Sequence, residues 1–148
     1  MTSESYGVRI FGTHPVDKTV VERVLTMYDG FNRRDLEAML EFWDPKHFTW
    51  NDDPTLPDSR QHHGRLGARD ILARTDETFG HFEFEVEAVA GLDQDRILVL
   101  VRTRAVTRTG GVPIENPAAH LFRLRRGRAV SGQQYISRQQ ALDEHGLS

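Results

Sequence analysis

Residues 81–108 read HFEFEVEAVAGLDQDRILVLVRTRAVTR, and their period decides the fold. From His81 apolar and polar side chains alternate. Phe82, Phe84, Val86, Ala88 and Ala90 share one face, and Glu83, Glu85 and Glu87 share the other. A period of two is that of a strand covered on one side. The turn GLDQD leads into a second run, RILVLVRTRAVTR. Setting Ala90 against Ile97 places Glu85 opposite Arg102, Glu83 opposite Arg104, Phe84 opposite Thr103 and Val86 opposite Val101. Opposite charges then meet on one face and mostly apolar groups on the other, whereas a slip of one residue sets Glu against apolar side chains.

The same parity carries through the TGG turn into IENPAAHLFRLRRGR, residues 114–128. It puts His120 on the Phe84/Val101 face with Phe122 and Leu124, so the imidazole is expected to point into the protein. The Arg residues around Gly127 read as an exposed turn, and AVSGQQYIS as a last strand.

Upstream the period is helical. Pro15 suits a first turn, and Thr19-x-x-Glu22 offers a capping box if the helix begins slightly later. Val20, Val24, Met27, Tyr28 and Phe31 follow at helical spacing. Asp35 caps a second helix, LEAMLEFW, which Asp44-Pro45 stops. Phe48 and Trp50 alternate as a short strand before a polar loop, and LGARDILARTDETF forms a third helix ending at Gly80. Helices followed by an antiparallel meander give an α+β fold with the sheet packed on the helices. Residues 1–14 lack a clear period and are expected to be a loose arm, with one domain over residues 15–148.

Composition narrows the function classes. A chain of 148 residues can build a continuous core by itself. Without cysteine it has no disulfide, thiol nucleophile or iron–sulfur cluster. A net charge of -3 gives no electrostatic reason to expect nucleic acid or anionic lipid as partner. No apolar run approaches the roughly 18 residues a membrane span needs. The start, MTSESYGVRIFGTHPVDK, lacks the apolar core of a signal peptide, so a cytoplasmic location is expected.

The order of YDGFNRRDLEAMLEFW, HFTWNDDP, HHGRLGARDIL and LFRLRRGRAVSGQQYISRQQALDEHGL resembles the SnoaL-like group. That group belongs to the nuclear transport factor two-like, or ketosteroid-isomerase-like, superfamily. The resemblance runs from about Val16 to Leu147 and rests on order and spacing more than on any one motif. It implies a cone-shaped, curved antiparallel sheet wrapped around three N-terminal helices, an apolar pocket, and commonly a homodimer. The fold serves several chemistries and some proteins with none, so the site must decide.

Carried over by position, the resemblance places His120 where the family's cyclases have an acid/base Asp and its isomerases a protonated Asp donor. It places Asp52 at, or one residue from, the proton-abstracting carboxylate, with Asp53 as the close alternative. The isomerase's first-helix Tyr falls on Met27; Tyr28 is adjacent but about 100° away around the helix. That departure counts against steroid isomerase activity. Gln134 is placed to orient a ligand beside His120, or Tyr135 if the RRGR turn shifts the strand by one. Phe31, Phe48, Trp50, Phe79, Phe84 and Phe122 are expected as walls, with Thr103 facing Phe84 and His63 at the mouth. His62-His63 does not read as a metal pair, because adjacent strand residues point apart and no third ligand has defining spacing. No metal or cofactor is expected.

The implied function is a cofactor-independent enzyme using acid/base proton transfer on a small apolar carbonyl compound of polyketide- or terpenoid-like character. Isomerisation, cyclisation, dehydration and epoxide opening all fit. The alternative is a non-catalytic module that binds a hydrophobic small molecule or serves assembly. Against both stands the plain reading of His120 as a satisfied core histidine and of Asp52-Asp53-Pro54 as turn chemistry.

Overall fold

The change of period at residue 81 marks the passage from helices to sheet, and it falls two residues earlier, at Phe79. The structure is a computed structural model that describes residues 3–147. Along the chain lie β1 (Ser3–Ser5), β2 (Val8–Gly12), α1 (Lys18–Arg33), α2 (Leu36–Met39), β3 (Thr49–Asn51) and β4 (Gln61–His63). Then come α3 (Gly64–Thr78), β5 (Phe79–Gly91), β6 (Arg96–Thr107), β7 (Pro113–Arg125), β8 (Arg128–Tyr135) and α4 (Arg138–Glu144). No helix among the described residues is long and apolar enough to cross a membrane.

Asp17, not Thr19, caps α1, accepting from the Thr19 amide at 3.1 Å. Arg34 ends the helix in a left-handed conformation, and its guanidinium reaches Asp76 on α3 at 2.8 Å. Asp35 caps α2 as expected, but that helix has only four residues. Phe42 and Asp44 give their backbone groups to Ala129 instead, at 2.8 and 2.9 Å. This strand-like bridge replaces the expected last helical turn and buries Phe42 and Trp43.

The eight strands are ordered β1-β2-β5-β6-β7-β8-β3-β4. The meander from β5 to β8 is antiparallel, but β2 runs parallel to β5 and β3 parallel to β8. The sheet is therefore mixed and not wholly antiparallel. The expected loose arm over residues 1–14 is corrected too. From Ser3 to Gly12 it is a hairpin that pairs with the meander, while Met1 and Thr2 lie outside the described residues. A fourth, C-terminal helix, α4, joins the three read from the sequence.

The cross-strand register over Glu83–Val86 is the one read from the charges: Glu83↔Arg104, Phe84↔Thr103, Glu85↔Arg102 and Val86↔Val101. A bulge at Glu87 then shifts it by one, so that Ala90 meets Leu98 instead of Ile97. An extra residue inverts the parity of everything beyond it. Val89 thus joins the core under the helices, and Ala88 and Ala90 turn to the opposite face beside Leu98, Leu100, Ala119 and Ala141 of α4. Arg138 of α4 fixes the bulge from that side, donating to Glu87 at 2.6 Å and to the Val101 carbonyl at 2.6 Å. Burial raises the Glu87 carboxyl, but hydrogen bonds and charge from Arg138 and Arg102 outweigh it and hold the group below its ordinary range.

Between the sheet and α1–α3 sits the main core, with Phe42, Met39, Val24 and Phe122 fully buried. Each such side chain contributes on the order of 2 kcal/mol by leaving water. Gly132 on β8 is required there. A Cβ would come within 2.6 Å of the Trp50 ring, so the indole lies directly on the strand backbone.

Candidate active site

The sheet and helices enclose an apolar cavity of about 290 Å³. Met27, Tyr28, Phe31, Trp50, Phe84 and Phe122 line it, as do Phe79 and Gln134. Phe48 does not: it is core, stacked on Trp43 with ring centroids 4.1 Å apart. Thr103, although opposite Phe84, lies outside the lining as well.

His120 faces the cavity and is 2% exposed. On β7 it pairs with Val99 and Gln134, and the edges and faces of Trp50 and Phe84 close around its ring at 4.9 and 5.0 Å. Its Nδ1 lies 2.5 Å from the hydroxyl of Tyr28. Burial drives the imidazole pKa down to about 3 and holds the Tyr28 phenol well above its ordinary value. Both groups are therefore neutral near pH 7. One proton fills the contact between them and one stays outside it, either Nε2–H or the phenol O–H. The pair is a fixed hydrogen-bond donor set in an apolar wall.

Tyr28 changes the reading of α1. Met27 and Tyr28 both line the cavity, so the helix presents a phenol to His120 although it is offset by one position from the family Tyr. A cavity that spans more than 100° of a helix surface receives adjacent residues.

Asp52 lines the cavity as well. Its parity follows from the β3–β4 hairpin, in which Trp50 pairs with His62 and Asn51 with Gln61. Trp50, Asp52 and His62 thereby share the cavity side, and all three line it. Asp52 Oδ2 lies at hydrogen-bond distance from His62 Nε2, 3.1 Å, and accepts from the Arg60 amide at 3.3 Å. His62 Nδ1 in turn lies 3.2 Å from Asp70 Oδ2 on α3.

Two expected residues fall on the other side of this hairpin. His63 is exposed, pairs with Thr49 and hydrogen-bonds its hydroxyl at 3.0 Å. Its neighbour His62 is the buried one, at 6% exposure. Asp53 is buried but turned from the cavity. It accepts from the Ile136 amide at 2.7 Å and from the Thr55 amide and hydroxyl at 2.9 and 2.7 Å. Burial pushes its carboxyl up, yet those bonds outweigh it and keep it below the ordinary range. Asp53 is a loop clasp holding the end of β8. Gln134 completes the clasp, accepting from the Asp53 amide at 2.9 Å while lining the cavity.

The mouth holds residues that sequence reading missed, namely Leu56, Pro57 and Asp58 from the loop and Ile71, Arg74 and Thr75 from α3. The spacing 71, 74, 75 is a helix face and was available as a signal. His62 gave a weaker one, because a polar run such as SRQHHG hides which of two adjacent histidines points inward.

The chain is similar to one family and, among solved structures, to one fold. No curated protein matches the chain. Solved structures do. TerC, co-crystallised with polyporic acid, is 21% identical, with a TM-score of 0.72 over 88% of this chain and 100% of its own. An NTF2-like protein of unknown function from Burkholderia pseudomallei is 19% identical, with a TM-score of 0.70 over 87% and 98%. A protein with a ketosteroid isomerase-like fold from Catenulispora acidiphila, in complex with trimethylamine, is 20% identical, with a TM-score of 0.67 over 86% and 94%. At these identities the likeness is one of fold. The model of the SnoaL-like domain matches residues 24–132, from the middle of α1 to β8. The chain belongs to the SnoaL-like family.

Proposed function

We propose that this protein is a cofactor-independent enzyme that moves a proton on a small, largely apolar carbonyl compound of polyketide- or terpenoid-like character. The observation that carries the reading is the presence in one apolar cavity of two unlike polar ends, Asp52 with His62 and His120 with Tyr28. A carbonyl oxygen accepts a hydrogen bond from the His120–Tyr28 pair. Asp52 removes the proton from the adjacent carbon, and the electron pair passes to the oxygen as an enolate. A neutral donor held in a dry wall favours the enolate over the carbonyl, because the developing charge has no water to stabilise it otherwise. The split of roles between two environments is the one ketosteroid isomerases use, with one carboxylate taking the proton and a neutral acid donating to the oxygen. From the enolate, the same site serves double-bond migration, aldol-type closure or loss of water.

The size and apolar walls of the cavity support a small-molecule ligand. TerC, which was co-crystallised with polyporic acid, has the same fold. The competing reading is a binding module. It draws on the His120–Tyr28 pair, which can hold an oxygen without any reaction.

The experiment is solvent deuterium uptake into β,γ-unsaturated ketones and 1,3-diketones, followed by NMR. The wild-type protein is expected to accelerate uptake, and Asp52→Asn and His120→Ala each to lower it by at least about a hundredfold with the fold intact. Saturable binding with no acceleration would favour the binding module, and unchanged rates in both variants would refute the assignment.

A further inference from the structure

His62 has a carboxylate on each ring nitrogen, Asp52 at 3.1 Å on Nε2 and Asp70 at 3.2 Å on Nδ1. Counting protons makes this informative. Two ionised carboxylates only accept hydrogen bonds, and a neutral imidazole brings one N–H. A single N–H can serve only one of the two nitrogen–carboxylate contacts at a time. The chain Asp52–His62–Asp70 therefore has room for one proton more than its neutral imidazole supplies. Without that proton, a nitrogen lone pair faces a carboxylate oxygen.

The three members differ in exposure along the chain. The Asp52 side chain is 20% exposed and lines the cavity, the His62 side chain is 5% exposed, and the Asp70 side chain is 45% exposed on the outer face of α3. The line thus begins in the cavity, crosses the wall through a buried ring and ends in water. The backbone is shaped to permit it. Gly67 lets α3 press onto β4, where a Cβ would meet the His62 carbonyl carbon at 2.7 Å. Asp70, three residues later on the same helix face, is thereby brought to the ring.

We infer that Asp52, His62 and Asp70 form a proton wire through which the cavity base exchanges its proton with solvent. The inference rests on the role proposed above for Asp52. In the step, the substrate C–H bond breaks, its electron pair stays on the substrate as enolate, and the proton goes to the Asp52 carboxylate. From there it occupies the Oδ2–Nε2 contact, giving an imidazolium. The Nδ1 proton passes to Asp70, and from that carboxyl to water. When a proton travels back by the reverse transfers and Asp52 delivers it to the enolate, Nδ1–H and the ionised Asp52 are both restored. His62 and Asp70 touch no substrate atom in this scheme; they position and empty the base. The wire suits reactions in which the abstracted proton is lost to solvent, such as closure followed by dehydration. A migration that returns the same proton to the substrate does not need it.

The test uses cyclohex-3-enone dideuterated at the carbon between carbonyl and alkene, in ordinary water. Conversion to the conjugated enone reads deprotonation, and deuterium at the new saturated position reads internal return. The quantity measured is deuterium retained per turnover, which stays defined whatever the rate. The wild-type protein is expected to lose most of the label. Asp70→Asn keeps an oxygen for the Nδ1 contact but cannot accept a proton, and should raise retention about fivefold; Asp70→Glu should restore the loss. Equal retention in wild type and Asp70→Asn would overturn the wire while leaving Asp52 as base. No conversion by the wild-type protein would sink both readings together. A merely structural Asp70 would change rate or stability in Asp70→Asn without changing retention.

Discussion

The two ends of the cavity each hold one imidazole, and the two behave oppositely. At one end His120 and Tyr28 are sealed among Trp50, Phe84 and Phe122, and burial fixes both in their neutral forms. At the other, Asp52 and His62 sit at a hairpin end, hydrogen-bonded to each other, and the half-exposed Asp70 lies 3.2 Å from the far nitrogen of the ring. The contrast teaches that an imidazole's role follows from its neighbours. Aromatic rings make it a fixed donor, and carboxylates make it a carrier.

The largest effect that can break this contrast is at the wet end. Asp52→Asn should slow proton abstraction about a thousandfold while the affinity for an unreactive phenol, an enolate mimic, stays within about threefold. Equal losses of rate and affinity would mean that the two ends are not separate. At the dry end, His120→Phe should cost about a hundredfold in rate and also weaken phenol binding by about tenfold, measured by titration calorimetry.

Acid stability sharpens the same distinction. The His120 pKa is lowered from 6.5 to about 3 in the folded protein, so only the unfolded chain takes up this proton between those values. The stabilising contribution is complete above about pH 6.5, is lost as pH falls, and levels off below about pH 3. From about pH 7 to about pH 5 this one group should remove on the order of 2 kcal/mol, read by denaturant titration. His120→Phe should flatten that part of the profile. The smallest expected effect is that of Tyr28→Phe, about tenfold in rate, because the imidazole keeps a donor but loses its fixed orientation. A loss as large as that of Asp52→Asn would make the phenol the principal donor.

The sequence made one end of the site legible and concealed much of the other. His120 was readable because charge pairing over Glu83–Val86, such as Glu85↔Arg102, sets the parity of β6, and β7 follows β6 without a shift. The same reading went astray where a single residue resets it. Alternation alone cannot show the bulge, because EVEAVA reads equally well with or without one. β3 and β4 have three residues each, too few to establish a period, so Asp52 and Asp53, or His62 and His63, cannot be told apart without the hairpin register. β2 pairs through its backbone with β5, a contact between residues 9–12 and 88–91 that no local pattern announces. Tyr28 needed the breadth of the cavity around α1, which is a tertiary quantity.

The surplus residue at Glu87 gives β5 two independent addresses. Upstream of it, Phe79, Phe82 and Phe84 border the hollow; downstream, Ala88 and Ala90 belong to the flank capped by α4. Variation confined to the first stretch can therefore reshape what the protein accepts without disturbing the second. Deleting that one residue would swap the two assignments along half the strand.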